Sequence, residues 1–387
     1  MRGITVPDLG EDFTADPSEL YFDLAFVFAF SQLVGVLVHD HNWQAVGRTA
    51  LLFTLMWVAW SQFTWSANAV PGNQRIVRLV FLIATAASVP MGASIGTAFE
   101  GGGVLFSLSL AVIFLMGLAL YVLNVKDQPE VFRSVLSYGG VAAASFVPLV
   151  VGGFFEGGLR LALWLSSLGI FVIALVVAGG GDFLVRSGHF AERHGLIIIV
   201  ALGEVIVAVG LPVVDALEEG EGLGGRTLLA LLSAATFAGL LWWSYFDLPQ
   251  PSFEHRSEQL GLRSKGRFSR DVYTLWHLPV VAGVILAAAG LEEITLHPSE
   301  PADLSYRLML LGGLVLFHLG VAGAVLRAHS VIAVERGVVV LAVAAVLLLG
   351  GSANAITLLV VVDVLLLVML VVEAKRVRAV RRASAAQ

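Results

Sequence analysis

Long apolar segments recur along the chain and alternate with short polar stretches, a pattern that predicts helices of membrane-spanning length. Segments of roughly 20 residues, enough to cross a bilayer as a helix, fall at 19–38, 45–67, 76–98, 104–124, 131–153, 158–178, 193–211, 226–246, 272–291, 305–326, 331–350 and 353–372. The pattern therefore predicts an all-α fold, a polytopic transmembrane helix bundle of about 12 spans.

The amino-acid composition places the chain outside the range of soluble domains. Hydrophobic residues make up 58% of its 387 residues and charged residues 13%, and the mean hydropathy is +0.88. Soluble domains carry about 45–50% apolar and about 25% charged residues. The chain has no cysteine, which excludes disulfides, thiolate metal sites and cysteine nucleophiles.

The distribution of basic residues predicts the orientation in the membrane. With the N-terminus inside, only Arg48, Arg160, Arg226 and Arg307 of the 23 basic residues fall in outer loops. Cytoplasmic loops are enriched in Lys and Arg, so both termini are expected in the cytoplasm. Residues 1–18 are polar and acidic and lack the pattern of a signal peptide.

Weak internal similarity predicts two halves of six helices each. Gln32 of the first span aligns with Glu204 of the seventh, and Trp60-Ser61 of the second aligns with Trp243-Ser244 of the eighth. An even number of spans separates the matched segments, as in parallel-repeat transporters. The predicted organisation is an N-terminal tail (1–18), a first half (19–178), a connector (179–192), a second half (193–372) and a basic C-terminal tail (373–387).

One acid, Glu204, lies in the middle of an apolar span, where an ionisable side chain normally faces protein or water and has a partner. Just before this span come the polar residues His189, Glu192, Arg193 and His194. At 1.5 Å per residue, Arg193 and Glu204 are roughly 16 Å apart on one helical face. The small residues Gly203 and Gly210 predict a close helix approach beside the acid.

The first span begins with two acids, Glu19 and Asp23, which are four residues apart and share a helical face. Gln32 points nearly opposite to Asp23. Asp23 is predicted to have a buried, partnered role, whereas Glu19 also fits a first-turn acid that interacts with the helix dipole.

Further polar residues fall near the ends and the middle of other spans. Asp247 follows the eighth span, and Tyr273 and His277 share a face of the ninth, so Asp23, His194, Asp247 and His277 are candidates for one cytoplasmic-side network. His318 and Asp363 both fall near mid-membrane and are expected to pair, either as a functional site or as a structural clasp.

The sequence gives little support for a metal site or a nucleotide-binding site. His189, Glu192 and His194 do not match a zinc-protease signature, because an i, i+5 histidine pair diverges on a helix. His39-Asp40-His41 has no third fixed ligand. No metal, no cofactor and no nucleic-acid partner is expected.

Three segments carry a family resemblance. Residues 19–29 (ELYFDLAFVFA), 189–204 (HFAERHGLIIIVALGE) and 277–283 (HLPVVAG) resemble the hallmark segments of the bacterial low temperature requirement protein A (LtrA) family. The resemblance implies a multi-pass protein of the bacterial cytoplasmic (inner) membrane that is associated with growth in the cold, and it implies no substrate. Where the family often has Gly-Glu-Ser, this chain has Gly203-Glu204-Val205.

The leading hypothesis is a proton-coupled secondary transporter of an unknown small solute or ion, and not an enzyme. Glu204 would be the main protonation site, and Asp23, Arg193, His194 and His277 would form a gate or relay. The alternatives are an ion channel, an intramembrane enzyme that acts on a lipid or isoprenoid carrier, and a non-catalytic scaffold. The expected partners are the lipid bilayer and the unknown solute or ion, and assembly into a homo-oligomer stays open.

Overall fold

A computed structural model describes residues 14–70, 72–179, 181–220 and 222–385, and over these residues the chain is helical and contains no strand. In chain order the helices are α1 (Pro17–Asp40), α2 (Trp43–Ala67), α3 (Arg75–Ala93), α4 (Gly103–Val125), α5 (Pro129–Gly153), α6 (Gly157–Ala178), α7 (Ser187–Glu218), α8 (Gly225–Phe246), α9 (Pro249–Glu258), α10 (Leu262–Ser269), α11 (His277–Leu296), α12 (Leu304–His329), α13 (Val334–Leu349) and α14 (Ala355–Ala385). Each predicted apolar segment coincides with one long helix, so the prediction of an all-α membrane-helix bundle is confirmed.

Ten helical segments of the described chain are long and apolar enough to cross a membrane. The two long helices outside this group differ from the others for separate reasons. α13 has only 16 residues. α2 has 25 residues, and nearly all of its side chains from Leu51 to Thr64 are buried inside the bundle. Because α2 is shielded by its neighbours, it can carry more polar side chains than a helix that faces lipid.

The short helices α9 and α10 occupy a stretch that the apolar pattern predicted as a loop. Both are polar, and α10 carries three basic residues, so the search for long apolar segments did not detect them. A π-helical turn over Arg270–Leu275 then leads into α11, and the backbone N–H of Trp276 donates to the carbonyl oxygen of Asp271 at 3.1 Å. Single π-helical turns interrupt α-helices frequently at functional sites.

A capping box begins α1 and fixes the position of its first acids. The Asp16 carboxylate accepts a hydrogen bond from the Ser18 backbone N–H at 3.0 Å, and the Glu19 carboxylate accepts one from the Asp16 N–H at 3.2 Å. Pro17 stands at the first helical position, where its missing N–H costs nothing. Helix α1 therefore begins with Glu19 in its first turn and Asp23 one turn later.

Helix α1 packs against α3, α7 and α11. Helix α7 in turn packs against α11, and the most extensive helix pair is α11 with α12. Helix α7 begins at Ser187, ahead of the predicted residue 193, so His189 and Glu192 lie on the helix and not in a connector. Polar residues can extend a helix beyond the apolar segment that the pattern detects.

The close helix contact lies elsewhere than predicted. A Cβ atom added at Gly203 or Gly210 would meet nothing within 4 Å, so the predicted close approach at these two glycines is wrong. At Gly283 of α11, an added Cβ would lie 2.5 Å from the carbonyl oxygen of Gly313 of α12. The two glycines allow the backbones of α11 and α12 to touch.

Candidate functional site

Two ion pairs join α1 to α7 at the face of the bundle where both helices begin, here called the near face. The His189 Nε2 atom lies 3.1 Å from a carboxylate oxygen of Glu19. One turn further along both helices, Arg193 donates from its two terminal nitrogens to the Asp23 carboxylate oxygens at 2.7 and 2.9 Å. All four side chains are buried. Helices α1 and α7 run parallel, because the residue numbers increase in the same direction on both helices from the first pair to the second.

The two ion pairs form one network. The Arg193 Nε atom lies 3.5 Å from Glu19, so the guanidinium contacts both acids. The Trp60 indole N–H of α2 donates to Asp23 at 2.8 Å, and the guanidinium carbon lies 5.9 Å from the centre of the Trp60 ring. A buried charge is tolerated only when it is paired and hydrogen-bonded. The sequence predicted a buried, partnered Asp23, but it also left Glu19 as a first-turn acid and named no pair between these acids and α7.

Beside this network lies a buried layer of aromatic rings that contains two histidines. The centre of the His194 ring is 5.1 Å from that of Trp60 and 5.3 Å from that of His277. The His194 Nδ1 atom lies 2.8 Å from the carbonyl oxygen of Phe190, which can only accept, so Nδ1 carries the proton. The Nε2 atom of the neutral ring is then an acceptor, and it has no partner in the described chain.

The π-helical turn determines the hydrogen bonds of His277. Its Nδ1 atom lies 2.8 Å from the carbonyl oxygen of Val272, which fixes the proton on Nδ1 in the neutral ring. The Nε2 atom then accepts from the Tyr245 hydroxyl at 2.7 Å. The Tyr273 ring lies 5.2 Å from that of His277, while its hydroxyl has no partner among the described residues.

Glu204 lies deeper in the bundle and is 1% exposed. The Ser31 hydroxyl of α1 donates to its carboxylate at 2.5 Å. Sequence reasoning missed Ser31, although it neighbours Gln32, the residue aligned with Glu204. Ser31 of α1 places a hydroxyl beside Glu204, whereas Val205, the residue that follows Glu204, has none.

Two cavities lie at opposite ends of α1. The near-face cavity has a volume of about 540 Å³ and is lined by residues that include Thr14, His189, Glu192, Leu196 and Glu254. The opposite face, here called the far face, has a cavity of about 250 Å³. The residues that line the far-face cavity include Gln32, His39, Asp40, Arg48 and Glu100. His189 therefore connects the near-face cavity to the ion-pair network.

The remaining predicted residues do not form one site. Glu192 accepts from the Ala15 backbone N–H at 2.8 Å, and Asp247 is exposed at the end of α8, away from the buried network. The expected pairing of His318 with Asp363 is wrong. Asp363 accepts from the Ser233 hydroxyl of α8 at 2.5 Å, and neither ring nitrogen of His318 has a partner in the described chain.

Three other buried arginines donate hydrogen bonds to groups of the protein. Arg336 contacts Glu373 at 2.9 Å and donates to the Ser244 hydroxyl at 2.9 Å. Arg160 and Arg307 donate to backbone carbonyl oxygens at 2.6–3.0 Å. Among the described residues, no group of three or more His, Asp or Glu side chains is placed to hold a metal ion.

Comparison with known proteins assigns the chain to one family. The family profile described as "Bacterial low temperature requirement A protein (LtrA)" matches residues 14–372. The chain is also similar to the uncharacterized protein RA0937 of Rhizobium meliloti strain 1021, with 29% identity over 314 residues that cover 78% of this chain and 75% of that protein. No solved structure matches the chain.

Proposed function

The chain belongs to the bacterial low temperature requirement A family, and on that premise we propose that it is a proton-coupled secondary transporter of a small solute or ion. Its location would be the bacterial cytoplasmic membrane, with both termini inside. The observation that carries the proposal is the buried network of His189, Glu19, Arg193 and Asp23 between α1 and α7. Ionisable residues within a membrane bundle mark ion and proton pathways by default.

The position of the network suits a gate. It lies between the helices that begin the two halves, next to the near-face cavity, and α1 continues from it to the far-face cavity. Proton uptake by Asp23 would remove the charge that Arg193 holds and would loosen α1 from α7. Loss of that proton would restore the two hydrogen bonds and close the contact.

Glu204 is the group best suited to bind the coupled proton. It is buried, and its hydrogen-bond partner among the described residues is the Ser31 hydroxyl, which can also accept a hydrogen bond from a protonated carboxyl. Among the described residues, no cation is paired with it. A carboxyl that is buried without a counter-charge gains and loses protons more readily than one that a guanidinium holds.

The contacts between α1 and α7 also support an internal duplication. Glu19 with His189, Asp23 with Arg193, and Ser31 with Glu204 are separated in sequence by 170, 170 and 173 residues. The alignment of Gln32 with Glu204 predicts nearly the same separation. Two parallel halves related by an axis along the membrane normal would place such residues at equal depth.

Alternating access can be tested without knowing the substrate, because the chain has no cysteine. Val27 lies one turn from Asp23 and one turn from Ser31 on the same face of α1, and it is half-buried. In oriented proteoliposomes, Val27→Cys should react with a membrane-impermeant thiol reagent from either side, with the reactive side changing when the pH gradient is reversed. Val361→Cys, on an exposed apolar face of α14, is the matched control and should react from neither side.

A static scaffold is the second candidate, because Arg160, Arg193, Arg307 and Arg336 are all paired. In a scaffold, Val27→Cys would react from one side or from neither, whatever the pH gradient. Equal labelling from both sides at once would favour a channel. Catalysis on a lipid by His189, Glu192 and His194 has weaker support, since His194 is fully buried and does not line the cavity that the other two reach.

A further inference from the structure

A groove between α12 and α13 is separate from the network between α1 and α7. Its volume is about 690 Å³, within the range of about 300–1,000 Å³ that is typical of small-molecule sites. Leu319 and Leu326 of α12 and Val338 and Leu341 of α13 line the groove, and all four are exposed apolar residues. In a membrane bundle such residues face lipid, so a ligand would enter the groove from the bilayer.

One polar side chain in the groove is unsatisfied. His318 lines the groove and is 1% exposed, and both of its ring nitrogens lack a hydrogen-bond partner within the described chain. A buried polar group without a partner costs about 1–3 kcal/mol, so it points to a missing partner. Arg336 lines the same groove, but Glu373 and Ser244 occupy its terminal nitrogens. Water is a poor candidate for the missing partner, because apolar cavities stay dry.

The depth of His318 restricts the class of ligand. At 1.5 Å per residue, His318 lies roughly 17 Å from the end of α12 at His329 and roughly 21 Å from its start at Leu304. The hydrocarbon core is about 30 Å thick, so the headgroups of phospholipids lie well away from this depth. The partner must therefore be a polar atom on a molecule that dissolves in hydrocarbon.

The walls of the groove suit a flat ring. The indole of Trp276 packs against Gly323 and lines one side, and Gly337 leaves open space on the α13 side. Because the neutral imidazole of His318 offers one donor and one acceptor, it can donate to a ring carbonyl or bind a ring hydroxyl. We propose that the groove binds a lipid-soluble molecule of the quinone class, with His318 donating a hydrogen bond to a ring carbonyl oxygen.

Binding can be measured with decylubiquinone on the purified full-length chain in detergent. The expected result is saturable quenching of tryptophan fluorescence and a higher thermal unfolding midpoint. His318→Leu should weaken binding by about tenfold or more, the equivalent of one lost buried hydrogen bond. His318→Gln, which keeps a donor and an acceptor, should retain most of the affinity.

Three controls separate a quinone site from other outcomes. Gly337→Leu should block the groove, and it should not disturb the fold because an added Cβ meets nothing within 4 Å. His39→Leu, at the far face, should bind like the unaltered chain. Decylbenzene has the same tail and no ring carbonyl, and it should not compete. Equal binding of decylbenzene, unchanged affinity in His318→Leu, or no binding by a chain that unfolds cooperatively would overturn the proposal.

Discussion

Arg193 of α7 holds both carboxylate oxygens of Asp23 of α1, at 2.7 and 2.9 Å, where neither side chain is open to solvent. The pair therefore joins the first helix of each predicted half directly. A pair of this kind is weak evidence for stability, because desolvation offsets much of the attraction between the charges. Substitution of one partner or of both distinguishes a role in folding from a role in function.

Removing one partner of this pair should destabilise the protein strongly. We expect Asp23→Ala or Arg193→Ala to lower the free energy of unfolding by about 3–5 kcal/mol, because each leaves the other charge buried without its two hydrogen bonds. Unfolding in mixed detergent micelles would measure the change.

The double variant Asp23→Leu with Arg193→Met provides the control. It replaces both charges with apolar groups, while Glu19 loses Arg193 but keeps its contact with His189, so the double variant should be more stable than either single variant. If the pair gates transport, this stable variant should lose the pH-dependent change in Val27→Cys labelling. A double variant as unstable as the single ones would mean that the pair is needed for folding.

Ser31 and Glu204 should respond differently to substitution. Ser31→Ala leaves the buried carboxylate without its donor at 2.5 Å, and should cost about 1–3 kcal/mol. Glu204→Gln keeps an oxygen that accepts from Ser31 and removes the charge, so its stability should be unchanged or higher. The same variant should abolish proton-driven flux in proteoliposomes, measured as pH-dependent current on a solid-supported membrane. Unchanged currents in Glu204→Gln would rule out this acid as the proton site.

The contact between α11 and α12 gives a prediction that is independent of charge. Gly283→Ala places a methyl group 2.5 Å from a backbone oxygen of α12, and the overpacking should cost about 1–3 kcal/mol. Gly203→Ala is the matched control, since its added methyl group meets open space and raises helix propensity. Thermal melting of both variants would measure the difference, and equal melting temperatures would contradict the close contact.

Asp16 should make the start of α1 sensitive to acid. Burial raises the pKa of its carboxyl, but hydrogen bonds from Arg78 and Ser18 outweigh burial and leave the pKa below its ordinary value. A carboxyl whose pKa is lower in the folded chain than in the unfolded chain stabilises the fold above about pH 4. This stabilisation is lost as the pH falls toward the pKa of the folded state.

Asp16→Asn tests this pH dependence, because asparagine still caps the helix but does not titrate. Between pH 5 and pH 3, we expect the stability of the unaltered chain to fall more steeply than that of the variant. The difference should be small, because Arg78 is half exposed and its ion pair is screened by solvent. Parallel stability curves for the two proteins would contradict the prediction.

The sequence predicted a buried, partnered Asp23, but not its pairing with Arg193 or that of Glu19 with His189. The four-residue interval between Glu19 and Asp23 placed both acids on one face, and the cost of burying a charge required partners nearby. Ser31 could not be found in this way. Serine is common in membrane helices, and burying its hydroxyl costs too little free energy to single the residue out. Which hydroxyl of a neighbouring helix reaches Glu204 depends on packing, and a single sequence does not reveal that packing.

The apolar pattern predicted the long helices well and the polar segments poorly. α9 and α10 lack an apolar stripe of membrane length, so their stretch resembled a loop. The pairing of His318 with Asp363 failed for another reason. Equal depth is necessary for two side chains to meet, but the faces they occupy depend on helix rotation, and Asp363 faces Ser233 of α8 instead.

The shortness of α13 has a consequence for the surrounding lipid. Its 16 residues make a rod of about 24 Å, whereas the hydrocarbon layer is about 30 Å thick. If α13 crosses the bilayer, the acyl chains beside it compress or tilt to match it, at an elastic cost of fractions of a kcal/mol per Å. Cooling orders and lengthens acyl chains, so this mismatch grows as the temperature falls.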